Sequence, residues 1–139
     1  MFRLDKNYHI FISHSWSYSS HYETVKKWID SSNITVSDYS IPENKSFPPM
    51  RENDLKRELL QQIYRASVVV VIAGGYVSYS KWLEFEIQSA DAYNKPILAI
   101  KPFGNVTWPS ALNNCRNKQN IHYVNWNSNS FITELKRLL

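Results

Sequence analysis

Cysteine is nearly absent. The 139 residues hold one, Cys115, so an intramolecular disulfide and a cysteine-based zinc cluster are both excluded, and a lone thiol fits a reducing compartment. Glycine and proline are sparse, at three and six residues, and no repeat, low-complexity segment or linker stands out. Runs of like charge stop at two residues, in Lys26-Lys27, Lys56-Arg57 and Lys136-Arg137. The formal charge of +4 is therefore a mild bias towards anionic ligands. Nucleic-acid binding would show clustered basic residues. The longest purely apolar run is Val68 to Ala73, far short of the ~20 residues of a membrane span. Met1 to Lys6 lacks the apolar stretch of a signal peptide. A cytoplasmic location, with no membrane and no nucleic-acid partner, is the expectation.

What is present is globular. Hydrophobic residues make up 43% and charged residues 20%, which excludes a wholly disordered chain. A mass of 16.4 kDa suits one domain over residues 1–139. Aromatic residues are plentiful, with five Trp, nine Tyr and six Phe.

Strand and helix signals alternate. Tyr8 to Ser13 reads as a first strand. Ser20 and Glu23 have the spacing of a capping box, and Tyr22, Val25, Trp28 and Ile29 follow at helical spacing, predicting a helix over 20–31. Ile34 to Val36 is a weak second strand, followed by a long loop from Asp38 to Glu52. Asn53 or Asp54 is expected to cap a second helix with the stripe Leu55, Leu59, Ile63 and Ala66. Ser67 to Ala73 contains an unbroken β-branched run, the mark of a strand covered on both faces, and Gly74-Gly75 ends it. Ser80 caps a third helix over 81–93. Pro96 to Ile100 is a fourth strand, broken by Pro102-Phe103-Gly104. A short helix near 109–116, a fifth strand from Ile121 to Val124, and a last helix marked by Phe131, Leu135 and Leu138 complete the pattern.

This alternation predicts an α/β three-layer sandwich: a five-stranded parallel sheet with helices on both faces. The flavodoxin-like order 2-1-3-4-5 has its switch point between strands one and three. Ligands of such sheets bind outside the carboxyl ends of the strands at that point. The loops to inspect are 13–19 and 74–80.

The first loop offers hydroxyls, one imidazole and aromatic faces in Ser13, His14, Ser15, Trp16, Ser17, Tyr18 and Ser19, without glycine. That argues against a flavin phosphate loop and suits a nucleoside or ribose. The competing reading is structural: serines capping the helix and Trp16 packed on the core. A phosphorelay receiver is excluded, because the positions for its acidic pair and phosphoacceptor hold Ser13-His14 and Ala73-Gly74. The nucleophile elbow of serine hydrolases is absent. His9, His14, His21 and His122 show no paired ligand spacing, so no metal site is expected.

The third helix is the most informative segment. At 100° per residue, Leu83, Ile87 and Ala90 form its buried stripe. Glu86 borders that stripe, one turn after Trp82, whereas Glu84 falls on the polar side with Gln88 and Asp91. A first-turn carboxylate commonly serves the helix dipole, and Glu84 suits that role. Glu86 leans inward, where an ionised carboxylate is unusual. Such a group in a nucleoside-sized cleft suits N-glycosidic cleavage, because positive charge builds on the ribose as the bond breaks. Nicotinamide would leave as a neutral molecule, so no strong general acid is required. Trp16, Phe47 or Trp82 could stack on a base.

Several ordered motifs carry a family resemblance. Tyr8-His9-Ile10-Phe11-Ile12-Ser13-His14-Ser15-Trp16, Ser40-Ile41-Pro42-Glu43, Val69-Val70-Val71-Ile72-Ala73-Gly74-Gly75-Tyr76, Ser80-Lys81-Trp82-Leu83-Glu84-Phe85-Glu86-Ile87, Asn94-Lys95-Pro96-Ile97 and Asn125-Trp126-Asn127 resemble the bacterial TIR-like family, over residues 8–138. This group includes the TIR proteins of the Thoeris anti-phage system. The resemblance implies a flavodoxin-like TIR fold with NAD⁺ as substrate rather than cofactor. It implies cleavage of the nicotinamide–ribose bond and formation of a cyclic ADP-ribose isomer after a phage-derived trigger. That signal activates a separate effector, and self-assembly is a further expectation. In the family's W-x-x-x-E-[IL] pattern, Trp82 and Glu86-Ile87 align, so the resemblance and the helical wheel name the same catalytic residue. The substrate-binding set it suggests is Ser13, His14, Trp16, Tyr18, Phe47, Gly75, Tyr76, Ser80 and Trp82. Phe47 stands in the loop over the site, roughly residues 39–51. The alternative is a TIR-like scaffold without catalysis.

Overall fold

The computed structural model describes residues 3–13, 20–38, 52–73, 81–102, 104 and 107–139, with the side chains of residues 37 and 38 excepted. Five strands, β1 (Asn7–Ile12), β2 (Thr35–Asp38), β3 (Val68–Ile72), β4 (Ile97–Lys101) and β5 (Ile121–Asn125), form one sheet in the order β2-β1-β3-β4-β5. Every neighbouring pair is parallel. The helices are α1 (Ser20–Asp30), α2 (Glu52–Arg65), α3 (Lys81–Ala92) and α4 (Ser128–Leu138). The expected α/β flavodoxin-like topology is the one observed.

The two-residue period of the strands sorts their side chains into two cores. Phe11, Val69, Val71, Ile97 and Ala99 pack under α2 and α3, against Leu55, Leu59, Ile63, Leu83, Ile87 and Ala90. Tyr8, Ile10, Ile12, Val68, Val70, Ile72, Leu98 and Ile100 pack under α1 and α4, against Tyr22, Val25, Ile29, Phe131 and Leu135. All five residues of β3 are fully buried, as the unbroken β-branched run predicts for a strand covered on both faces.

The differences from the sequence reading lie at element ends. Helix α1 begins at Ser20 as expected and ends one residue early, at Asp30, and α2 starts at Glu52, so Asn53 and Asp54 sit in its first turn. Glu52 and Asp54 there complement the helix dipole. Strand β2 is displaced to Thr35–Asp38, because a register shift between Tyr8 and His9 brings Asp38 opposite β1; Ile34 serves the core instead. The short helix near 109–116 is a 3-10 turn, Ser110–Asn114. Helix α3 ends where Asn94 turns left-handed at φ 57°, a conformation asparagine tolerates better than most residues. Asn127 caps α4 by accepting from the Ser130 amide at 2.9 Å. Among the described residues, no helix is long and apolar enough to cross a membrane.

Candidate functional site at the carboxyl end of the first strand

Strand parity puts Ser13 on the α3 side. It follows Phe11 by two residues, so its side chain shares the face that packs under α2 and α3. Its amide still belongs to the sheet, donating to the Val70 carbonyl at 2.9 Å. From the other layer, the second turn of α3 delivers Glu86. The Ser13 hydroxyl donates to Glu86 Oε1 at 3.3 Å, a contact between residues 73 positions apart.

Both groups are enclosed. Glu86 is 0% exposed and Ser13 1%. Buried carboxylates are rare and expensive unless hydrogen-bonded, and Glu86 is surrounded on its helix by Leu83, Ile87 and Ala90, each buried in the α2–α3 core. The wheel argument placed Glu86 at the border of this stripe. The structure puts it inside. Glu84, the other carboxylate of the segment, is exposed and accepts from Gln88 Nε2 at 3.1 Å.

Trp82 lies one turn before Glu86 on α3 and is half-buried against the same core. Its ring meets Phe85 edge-on at 6.2 Å between centroids, and Lys81 Nζ stands 5.6 Å from its centroid. Trp82 and Phe85 line a hollow of about 240 Å³ between α2 and α3, together with Glu52, Lys56, Lys81 and Gln88. Lys81 Nζ also donates to Glu52 Oε1 at 2.8 Å. This pair joins the first residue of α2 to the first residue of α3. The Lys81 ammonium, by hydrogen bond and then by charge, holds the Glu52 carboxyl below its ordinary range.

The structure therefore brings Ser13 and Glu86 together at the switch point between β1 and β3, with Trp82 on the adjoining turn. His14, Trp16, Tyr18, Phe47, Gly75, Tyr76 and Ser80 lie outside the described residues. A wider hollow of about 630 Å³ lies elsewhere, between β5 and α4, beside His122, Tyr123 and Glu134. The sequence reading missed the pairing of Ser13 with Glu86. Strand parity after Phe11 was the available signal. The Glu52–Lys81 bridge carries no such signal, since it spans 29 positions between two helices.

Residues 11–107, more than half of the chain, match the family model for the TIR-like domain of the Thoeris protein ThsB. The chain belongs to this family. Within the ThsB TIR-like match fall β1 from Phe11 onward, all of α3, and both members of the buried Ser13–Glu86 pair. No curated protein matches the chain. Among solved structures, the Clostridium botulinum CMP N-glycosidase BcmB is similar, with a TM-score of 0.59 and 15% identity over 95% of this chain and 99% of that one. At that identity the likeness of the two chains is one of fold.

Proposed function

We propose that this ThsB-type TIR-like domain cleaves the N-glycosidic bond between nicotinamide and ribose in NAD⁺, with Glu86 as the catalytic carboxylate. The observation that carries the reading is a wholly buried glutamate at the ligand edge of the sheet, hydrogen-bonded to a serine of the central strand. Burial strengthens the interaction of an ionised carboxylate with charge that develops in the transition state. As the bond to nicotinamide lengthens, its electron pair leaves with the ring, which becomes neutral. The ribose carbon acquires oxocarbenium character. Glu86 stabilises that charge or holds the ribose hydroxyls, and a nucleophile then closes the reaction.

Water as the nucleophile gives ADP-ribose and a proton. Attack from within the ADP-ribose moiety gives a cyclic isomer, again with loss of one proton. Membership of the Thoeris family supports the cyclic product as a signal to a separate effector, released after a phage-derived trigger. His14, Trp16, Tyr18, Phe47, Gly75, Tyr76, Ser80 and Trp82 are proposed to line the substrate site, and residues 1–139 to act as one domain with the capacity to self-assemble. The similar fold of a CMP N-glycosidase supports the reaction class, breakage of a bond between ribose carbon and ring nitrogen, and makes CMP the alternative substrate to test.

The test is mass spectrometry of NAD⁺ or CMP incubated with the purified protein and with Glu86→Gln, with and without extract of phage-infected cells. Nicotinamide with a product of ADP-ribose-minus-water mass, absent for the variant, is the expected result. Linear ADP-ribose alone would leave a glycohydrolase and remove the signal. Release of cytosine would change the substrate. A wild-type protein inert under all conditions would identify a scaffold.

A further inference from the structure

We propose that Ser13 is a positioning residue for this reaction: it acts through Glu86, by fixing one carboxylate oxygen, rather than by holding substrate. The inference rests on the reading of Glu86 given above and adds the device that orients it.

A serine hydroxyl has one proton to give. In this structure that proton is directed at Glu86 Oε1, 3.3 Å away, so Ser13 has no second donor for a ribose hydroxyl or a phosphate. The serine is 1% exposed, enclosed along with the carboxylate it contacts. Its backbone cannot wander, because the Ser13 amide is held by the Val70 carbonyl of β3 at 2.9 Å. The sheet thus presents a fixed donor to a side chain that reaches it through three rotatable bonds from another layer.

Glutamate needs that restraint. Its terminal torsion is broad rather than confined to staggered wells, and no alternative rotamer of a fully buried group is offered by solvent. A donor fixed on Oε1 restrains the plane of the carboxylate and distinguishes Oε1 from Oε2. Sites perform only when such second contacts hold the reacting group within a fraction of an ångström. The O–H···O distance of 3.3 Å lies at the long end for such a bond, whose usual value is about 2.7–2.8 Å.

The two roles for Ser13 separate kinetically. A residue that binds substrate equally in ground and transition states changes KM, whereas one that aligns the catalytic group changes kcat. We expect Ser13→Ala to lower kcat for NAD⁺ cleavage by about ten- to a hundredfold with KM unchanged. Ser13→Thr, which keeps the hydroxyl, should recover most of that loss. Ser13→Cys, close in size with a weaker donor, should fall between them and serves in place of alanine if Ser13→Ala fails to fold. A raised KM with kcat intact in Ser13→Ala or Ser13→Cys would overturn the proposal in favour of direct substrate contact. Unchanged kinetics, or a threonine variant as impaired as alanine, would overturn it too. Measuring Glu86→Gln alongside keeps the two readings apart. Turnover retained in Glu86→Gln, or absent from wild type, refutes the role of Glu86 and this inference with it. Turnover lost there but unaffected in Ser13→Ala refutes the role of Ser13 alone.

Discussion

Replacing Glu86 by glutamine should make the protein more stable while it abolishes turnover. The side chain is 0% exposed, so solvent does not screen it, and holding a charge there is opposed by desolvation. Glutamine has the same length and nearly the same volume. It leaves no cavity, and its carbonyl oxygen still accepts from the Ser13 hydroxyl at the 3.3 Å position. What changes is the charge, and the second oxygen, which becomes an amide donor. Removing the charge that the proposed chemistry requires, while keeping the packing and the hydrogen bond from Ser13, should raise stability by about 1 kcal/mol, which for a domain of this length is roughly 4 °C in Tm. Glu86→Ala makes the contrast. It also removes the charge, but it empties the space and strands the serine hydroxyl, so Tm should fall. Turnover should drop by about a hundredfold or more in both variants, the usual loss when a pre-organised electrostatic group is taken from an active site. Differential scanning fluorimetry at pH 7, paired with the NAD⁺ assay, reads both quantities on the same samples. A glutamine variant that melts well below wild type would refute the reasoning, because it would mean that the ionised carboxylate serves the fold rather than the chemistry.

Other perturbations report on the frame around the site. Phe131→Ala removes a fully buried ring from the α1–α4 core and should cost about 3–5 kcal/mol, read as a lower denaturation midpoint in urea; a loss under about 1 kcal/mol would show that α4 docks without it. The Glu52–Lys81 bridge is exposed on both sides, so Lys81→Ala should leave Tm unaltered yet raise the Glu52 carboxyl towards its ordinary range, with Lys56 still lowering it, measurable by NMR titration; an unmoved Glu52 titration would count against the pairing. Glu134 is held below the ordinary carboxylate range first by its hydrogen bond from Arg137. A lowered folded value means that the stabilisation is full above the unfolded pKa and disappears as pH falls through the folded one. Arg137→Ala should therefore flatten the decline of Tm across the acid range, and an unchanged acid profile would contradict it.

The sequence by itself determined the architecture and told the inward carboxylate of α3 from the outward one. The run Val68 to Ile72 demanded cover on both faces and received it, with every residue fully buried. The stripes on α2 and α3 repeat at helical spacing, and the structure buries Leu55, Leu59, Ile63, Leu83, Ile87 and Ala90 together. These are short-range regularities, written in periods of two and 3.6 residues, and parallel strands joined by helices leave few topologies open. The same arithmetic separated Glu86 from Glu84, two residues apart on one helix but on opposite sides of it. Element ends were less legible: Asn53 and Asp54 are plausible caps in sequence, yet α2 begins before them, at Glu52, since neighbouring Asn and Asp side chains offer near-equivalent caps.

Only the tertiary structure decided how deep Glu86 lies and what it touches. A helical wheel gives a direction, not a depth; depth depends on the layer packed opposite, which here is the end of β1. The partner, Ser13, is 73 positions away, so no local pattern could join the two. Parity assigned each residue its face. It was the closure of α3 over the sheet that set the serine hydroxyl against the carboxylate, in a core where a charged group persists only when something holds it.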